Sequence, residues 1–212
     1  MGVADLFDSL RPKSETISDG VTLLRGFADS GAVYELMQQV ARHAPFRNQI
    51  TPGGHIIKVA TTNCGALGWT SGPGGYRYRP DDPETGLPWP AMPAQLANIA
   101  TEAAEAGGFP GYHPNACLIN LYAPGLKLSS HQDKNERDRR WPVVTVSIGV
   151  PATFQLFGDS RSGKPINILL QDGDVLVMGG ASRMAYHGVK ALAAGQHPLT
   201  GDKRYSLTFR VT

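Results

Sequence analysis

The residues with the most chemistry within reach are His131 and Asp133, in the stretch "LKLSSHQDKNERD" that spans residues 126–138. On an extended segment, residues i and i+2 point to the same side, so this imidazole and this carboxylate converge on one point. Such a pair is two thirds of a facial triad for non-haem Fe(II), whose third ligand is a second imidazole. Of the six histidines, only His131 has an aspartate two places on. A chain of this length produces one such pair readily by chance, so the third ligand has to decide. "MAYHGVK" supplies His187, just after the strand-like run "DVLVM". His43 falls in a helical stretch and His55, His113 and His197 in loops, where each reads as an ordinary structural histidine.

The C-terminal "RYSLTFR" bears on the same point. Strand alternation puts Arg204, Ser206, Thr208 and Arg210 on one face and Tyr205, Leu207, Phe209 and Val211 on the other. Two arginines facing the inside of a small barrel are costly unless anions meet them. A dicarboxylate brings two anionic ends, each suited to a guanidinium fork. Iron of this kind takes the same molecule as a chelating 2-oxo acid. "LINLY" adds Asn120 and Tyr122, two apart, as neutral hydrogen-bonding groups on one face. The competing reading of the two arginines is a solvated edge strand. Two other motifs fail. "GDSRSGKP" (158–165) has phosphate-loop spacing, but Pro165 replaces the metal-binding hydroxyl and no helix follows. "DKNERD" lacks the glycine of a calcium loop.

These residues need elements to hold them. From residue 116 onward the pattern is of short strands: "ACLINLYA", "VVTVSIGV", "TFQLFG", "INILLQ", "DVLVMGG" and "RYSLTFRVT". Gly, Pro and Asp turns separate them, which predicts a sandwich or barrel. Ahead of them, "VTLLRGF" (21–27) predicts a strand and residues 29–45 a helix. That helix carries Val33, Leu36, Met37, Val40 and Ala41 at helical spacing, with Asp29 or Ser30 as its cap. A second helix is predicted over about 93–106, with Leu96, Ile99, Ala100 and Ala103 on one face. Residues 61–90 between them are rich in Gly, Pro and aromatics without periodicity. A segment of that length inside a compact domain is usually functional when it carries residues such as Trp69, Tyr76 and Tyr78.

The bulk numbers agree. With 212 residues, 41% hydrophobic and 18% charged, the chain fits one integrated domain with an ample core. Three parts are expected: an N-terminal arm over 1–20, helices and a lid over 21–115, and a jelly-roll core over 116–212. A net charge of +2 does not demand a nucleic-acid partner but allows a local basic face. Two cysteines, Cys64 and Cys117, exclude a disulfide framework. "MGVADLFDSLRP" holds no apolar run long enough for a signal peptide or membrane span. A cytoplasmic protein with no membrane association, and a monomer, is expected.

Taken together, His131-x-Asp133, His187 and Arg204-x5-Arg210 resemble the Fe(II)/2-oxoglutarate dioxygenases. "TPGGH", "TTNCGALGW", "PWPAMP", "ACLINLYAPGLKLSSHQDKNE" and "HPLTGDKRYSLTFR" narrow the resemblance to the AlkB nucleic-acid dealkylases, from about residue 20 to the end. That resemblance implies a double-stranded β-helix (jelly-roll) core with an N-terminal nucleotide-recognition lid. It also implies iron on His131, Asp133 and His187, with O2 as co-reactant. Arg204 would hold the distal carboxylate of 2-oxoglutarate beside Asn120, Tyr122 and Ser206, and Arg210 would steady the other carboxylate and Asp133. Trp69 would stack on the damaged base with His131 on its far side. Tyr76, Lys127, Ser129, Gln132, Lys134 and Arg161 would contact the strand, and Asn135 and Glu136 would line the base site. The implied reaction is oxidative demethylation of N1-methyladenine and N3-methylcytosine, releasing succinate, CO2 and formaldehyde. The implied partner is alkylated single- or double-stranded DNA, with RNA left open.

This sequence has Asn135 where a close relative has aspartate, and Thr61 where it has methionine. A cationic methylated ring is favoured more by a carboxylate than by an amide, and Glu136 is the residue that would compensate. Two alternatives remain at this stage: a dioxygenase acting on a protein or small molecule, and a noncatalytic binder of nucleic acid or 2-oxoglutarate.

Overall fold

A computed structural model describes residues 12–212. Two antiparallel sheets face each other, and two helices cover the outer side of the larger one. The larger sheet has seven strands in the order β1 (Ser14–Ser18), β2 (Val21–Leu24), β11 (Val175–Met178), β8 (Val143–Gly149), β13 (Arg204–Arg210), β6 (Ala116–Tyr122) and β3 (Ala60–Gly65). The smaller has four: β10 (Ile166–Leu170), β9 (Ala152–Gly158), β12 (Tyr186–Val189) and β7 (Leu128–His131). A separate hairpin joins β4 (Gly68–Gly72) to β5 (Gly75–Arg79). This is the mostly β, jelly-roll architecture expected from the strand pattern.

Alternation along the central strands builds two apolar layers at once. Tyr205, Leu207 and Phe209 of β13 point outward into one layer with Val144, Val146 and Ile148 of β8 and Cys117 and Ile119 of β6. Helix α1 (Ser30–His43) closes that layer with Val33, Met37 and Val40, and α2 (Ala94–Ala106) with Leu96, Ala100, Ala103 and Ala104. The Asp29 side chain caps α1 by accepting from the Ala32 amide at 3.1 Å. The second layer lies between the sheets and joins Leu23, Tyr122, Leu176 and Met178 to Phe154, Leu156, Ile168, Leu170 and Val189. The polar residues of β13 face this same interior, and they mark where the site begins.

Three expectations change. Residues 1–11 of the predicted arm lie outside the described residues, and Ser14–Ser18 are no arm but an edge strand paired with β2. Their short run of mostly polar side chains suits a sheet edge, which pairs on one side only. The predicted lid is shorter than 61–90, because Ala60–Gly65 pairs with β6 as a strand of the main sheet. β7 and β12 carry too few apolar residues to stand out as strands, yet both belong to the smaller sheet. Among the described residues no helix is long and apolar enough to cross a membrane.

Candidate metal centre

The register of β7 and β12 sets the first two ligands side by side. His187 lies directly opposite His131 in the antiparallel pair, and the two rings are 4.4 Å apart between centroids. Asp133, two residues past His131, brings its Oδ1 to 3.8 Å from His131 Nε2 and its Oδ2 to 3.9 Å from His187 Nε2. One ligand atom from each of the three residues lies within 4.8 Å of the others, so the group can hold a metal ion. His131 Nδ1 faces the Ser129 carbonyl at 2.9 Å and His187 Nδ1 the Ala185 carbonyl at 3.0 Å. Protonated at Nδ1, each ring donates there and leaves Nε2 as the ligand atom. Burial pulls the His187 pKa down to about 4 against the attraction of Asp133, so this imidazole is neutral at physiological pH. Phe154 stacks on it at 5.4 Å.

Asp133 stays ionised although it is only 9% exposed. Burial pushes its pKa up, but Arg210, then His187 and His131, outweigh that and hold it well below the usual carboxylate range. Arg210 Nη2 donates to Asp133 Oδ2 at 2.9 Å, so the arginine expected to steady this ligand touches it.

Arg204, six residues earlier on the same face, is 1% exposed. Its Nη2 donates to Ser147 Oγ at 2.9 Å and its guanidinium carbon lies 5.0 Å over the Tyr122 ring. Its Nε and Nη1 have no hydrogen-bond partner. A buried cation with two unused donors is an anion site, and the fork geometry suits a carboxylate. Asn120 pairs with Ser206 across β6 and β13, Ser206 with Ser147 across β13 and β8, and Thr61 with Asn120 across β3 and β6. Thr61, Asn120, Ser206 and Ser147 therefore form one polar row across the interior face. The residues present fit iron together with a 2-oxo dicarboxylate.

The hairpin supplies an aromatic surface. Trp69 and Tyr76 stack at 5.5 Å with their planes 16° apart, and Tyr76 is exposed. Trp69 is less free than a glycine-rich segment suggests, because the buried Asn63 side chain accepts from its amide at 3.0 Å and donates to its carbonyl at 3.1 Å. Tyr78, across from Trp69, donates its hydroxyl to Glu136 Oε1 at 2.5 Å. Lys127, Ser129, Lys134, Asn135 and Arg161 are exposed. Arg161 Nε donates to the Ser130 carbonyl at 3.1 Å, and Gln132 donates its amide to the Met184 carbonyl at 2.7 Å.

Glu136 corrects an expectation. It is 4% exposed and lies between Arg183 Nη2 at 3.1 Å and Arg210 Nε at 3.2 Å. Its charge is matched by two guanidiniums inside the protein and is not free to compensate for Asn135. Arg183, 3% exposed and bonded to the Asp133 carbonyl, escaped the sequence reading. Its one signal was an unpaired arginine four residues before His187. Asn63 was legible only as the i+2 neighbour of Thr61 once β3 was known to be a strand.

Comparison with known proteins gives the same picture. The sequence profile of the 2OG-Fe(II) oxygenase superfamily matches residues 20–210. The chain is 51% identical over 208 residues to the alpha-ketoglutarate-dependent dioxygenase AlkB of Escherichia coli (strain K12), covering 97% of this chain and 96% of that protein. It is 33% identical over 120 residues to the tRNA demethylase abh1 of Schizosaccharomyces pombe, covering 55% of this chain and 40% of that one. The solved structure of OsALKBH1 superposes with a TM-score of 0.81 at 26% identity, over 94% of this chain and all of that one. With a His-Asp-His cluster able to hold a metal ion and a buried arginine behind it, this chain belongs to the 2OG-Fe(II) oxygenase superfamily and, within it, to the AlkB dioxygenases.

Proposed function

We propose that the protein removes N-linked methyl groups from the bases of nucleic acids, chiefly N1-methyladenine and N3-methylcytosine in DNA, with RNA as a second substrate. The observation that carries this reading is a physical join. The aromatic hairpin bearing Trp69 and Tyr76 is tied through Tyr78, Glu136 and Arg210 to the ligand Asp133. A stacking surface fixed beside an oxidising centre suits a flat base drawn out of its strand. Unstacking a base costs a few kcal/mol, least for a single strand or a damaged base. Stacking on an aromatic side chain returns about 1–3 kcal/mol.

His131, Asp133 and His187 would hold Fe(II). Arg204, with Asn120, Tyr122 and Ser206 paired across the same two strands, would take the distal carboxylate of 2-oxoglutarate. When bound, the two supply the activation of O2 that oxidises an N-linked methyl carbon, with succinate, CO2 and formaldehyde as products. The protein's own part is binding and orientation. Arg210 fixes Asp133, and the Ser129 and Ala185 carbonyls fix the imidazole tautomers. Trp69 and Tyr76 hold the base, while Lys127, Lys134 and Arg161, with Ser129 and Gln132, line the path of the backbone. The hydrophobic face of Phe154 shields His187 from water.

Two measurements test this. Anaerobic mixing with Fe(II) and 2-oxoglutarate should produce the weak visible charge-transfer band of the chelate. Formaldehyde should then appear in air from oligonucleotides carrying N1-methyladenine or N3-methylcytosine, and not with Asp133→Ala. A band without formaldehyde from any methylated strand would move the activity to a protein or small-molecule substrate. No band at all would leave a binding protein.

A further inference from the structure

Asp133 is gripped at two places. Arg210 holds its carboxylate, and Arg183 Nη1 donates to its main-chain carbonyl at 2.7 Å. Both guanidiniums meet at Glu136, with Arg183 Nη2 at 3.1 Å from Oε2 and Arg210 Nε at 3.2 Å from Oε1. Arg183 is pinned further by donating Nε to the Trp141 carbonyl at 2.9 Å. The Arg183 and Glu136 side chains are 4% and 2% exposed, so water does not screen them. Tyr78 reaches the same carboxylate from the hairpin. A buried ionic network with one member missing is worse than none, so it forms and breaks as a unit.

We propose that Arg183 and Glu136 are positioning residues for the ligand Asp133, and that Tyr78 makes the seating of the aromatic hairpin and the filling of the metal site depend on each other. This rests on the reading of the site as a metal and 2-oxo acid centre beside a nucleic-acid surface. Any metal drawing on the Asp133 carboxylate orders the group that Arg210 holds. Arg210 and Arg183 in turn fix Glu136, and Glu136 fixes the Tyr78 hydroxyl. Because β5 sets Tyr78 across from Trp69, the last bond aims the stacking surface. Coupling of this kind is reciprocal, so a strand seated on the hairpin tightens the metal as the metal tightens the strand.

Co(II), which resists air and has a visible spectrum sensitive to its ligands, is the probe. Titrated without nucleic acid, Arg183→Lys and the isosteric Glu136→Gln should each bind Co(II) at least tenfold more weakly than the native protein, with an altered visible band. A folded variant of either kind with native affinity and a native band, whatever its melting temperature, would overturn the positioning role. Glu136→Gln decides if Arg183→Lys fails to fold. The second arm measures binding of a labelled N1-methyladenine single strand with and without Co(II) plus N-oxalylglycine. The native protein should bind the strand at least threefold tighter when loaded, and Tyr78→Phe should lose most of that difference. Equal ratios in the two proteins would overturn the coupling. If the native protein binds no strand at all, the substrate reading and the coupling fall together, and the Co(II) arm still decides the roles of Arg183 and Glu136.

Discussion

At the scale of single residues, this site turns on which charges have partners and which do not. Arg210 and Arg204 share a strand face, but Arg210 is matched by Asp133 and Glu136, while Arg204 has a hydroxyl, a ring face and two unused donors. Arg204 is therefore the proposed anion anchor. Charged hydrogen bonds contribute about 1.5–3 kcal/mol, so Arg204→Ala should weaken 2-oxoglutarate at least tenfold. The concentration dependence of the charge-transfer band measures this, and an unchanged midpoint would place the cosubstrate elsewhere. The resemblance read from the sequence puts Asn135 where a close relative has aspartate. Glu136 is already neutralised by Arg183 and Arg210, so no nearby carboxylate masks the effect of adding one. Asn135→Asp should raise kcat/KM for the cationic N1-methyladenine and N3-methylcytosine over neutral N3-methylthymine. Residue 135 is exposed, so the gain is of order 1 kcal/mol, the value for charges about 4 Å apart in water. A competition assay on mixed lesions reads the ratio, and no change would remove residue 135 from charge selection.

At the scale of elements, two strands and a hairpin set the geometry. β12 lies between β9 and β7, and its pairing with β7 shifts register between His187 and Val189. Gly188 sits at that irregularity. A Cβ there would come to 2.7 Å from the Leu128 carbonyl oxygen, and backbone gives way only by moving the strand. Gly188→Ala should displace β7 and carry His131 away from His187. We expect a folded protein with metal affinity reduced about tenfold or more, read by Co(II) titration. Native affinity would mean that the two strands have slack. The hairpin is tied at Trp69 by Asn63 and at Tyr78 by Glu136, so Trp69→Ala should leave its backbone in place. Methylated-strand affinity should fall by roughly 1–3 kcal/mol while the Fe(II)–2-oxoglutarate band persists. Loss of the band or of the fold would show that Trp69 is a core residue.

At the scale of the whole molecule, a net charge of only +2 gives little long-range pull on a polyanion. In the proposed reading the exposed Lys127, Lys134 and Arg161 supply the attraction. Three phosphate contacts on a single strand predict a log–log salt slope of about −2, and each alanine substitution should reduce it by about 0.7. A slope near zero would mean that stacking alone holds the strand. The helices and the larger sheet supply the rigid base for all of this, since β13 is buried along its whole length, with apolar groups toward the helices and polar ones toward the site.

The candidate ligands His131, Asp133 and His187, the two faces of β13, both helices and seven of the strands were legible in the sequence. Each is written in local periodicity or in residue types with few other uses. β1, β3, β4, β5, β7 and β12 were not legible, because their apolar content is low and their strand character comes from the neighbours that pair with them. The same holds for charge. That Glu136 lies inside between two guanidiniums, that Arg183 braces the Asp133 main chain, and that Arg204 alone of the buried arginines among the described residues is left without an anion are facts of chain segments about 50 or more residues apart meeting in space. A sequence gives the sign of a charge, but only tertiary structure decides whether another charge has already cancelled it.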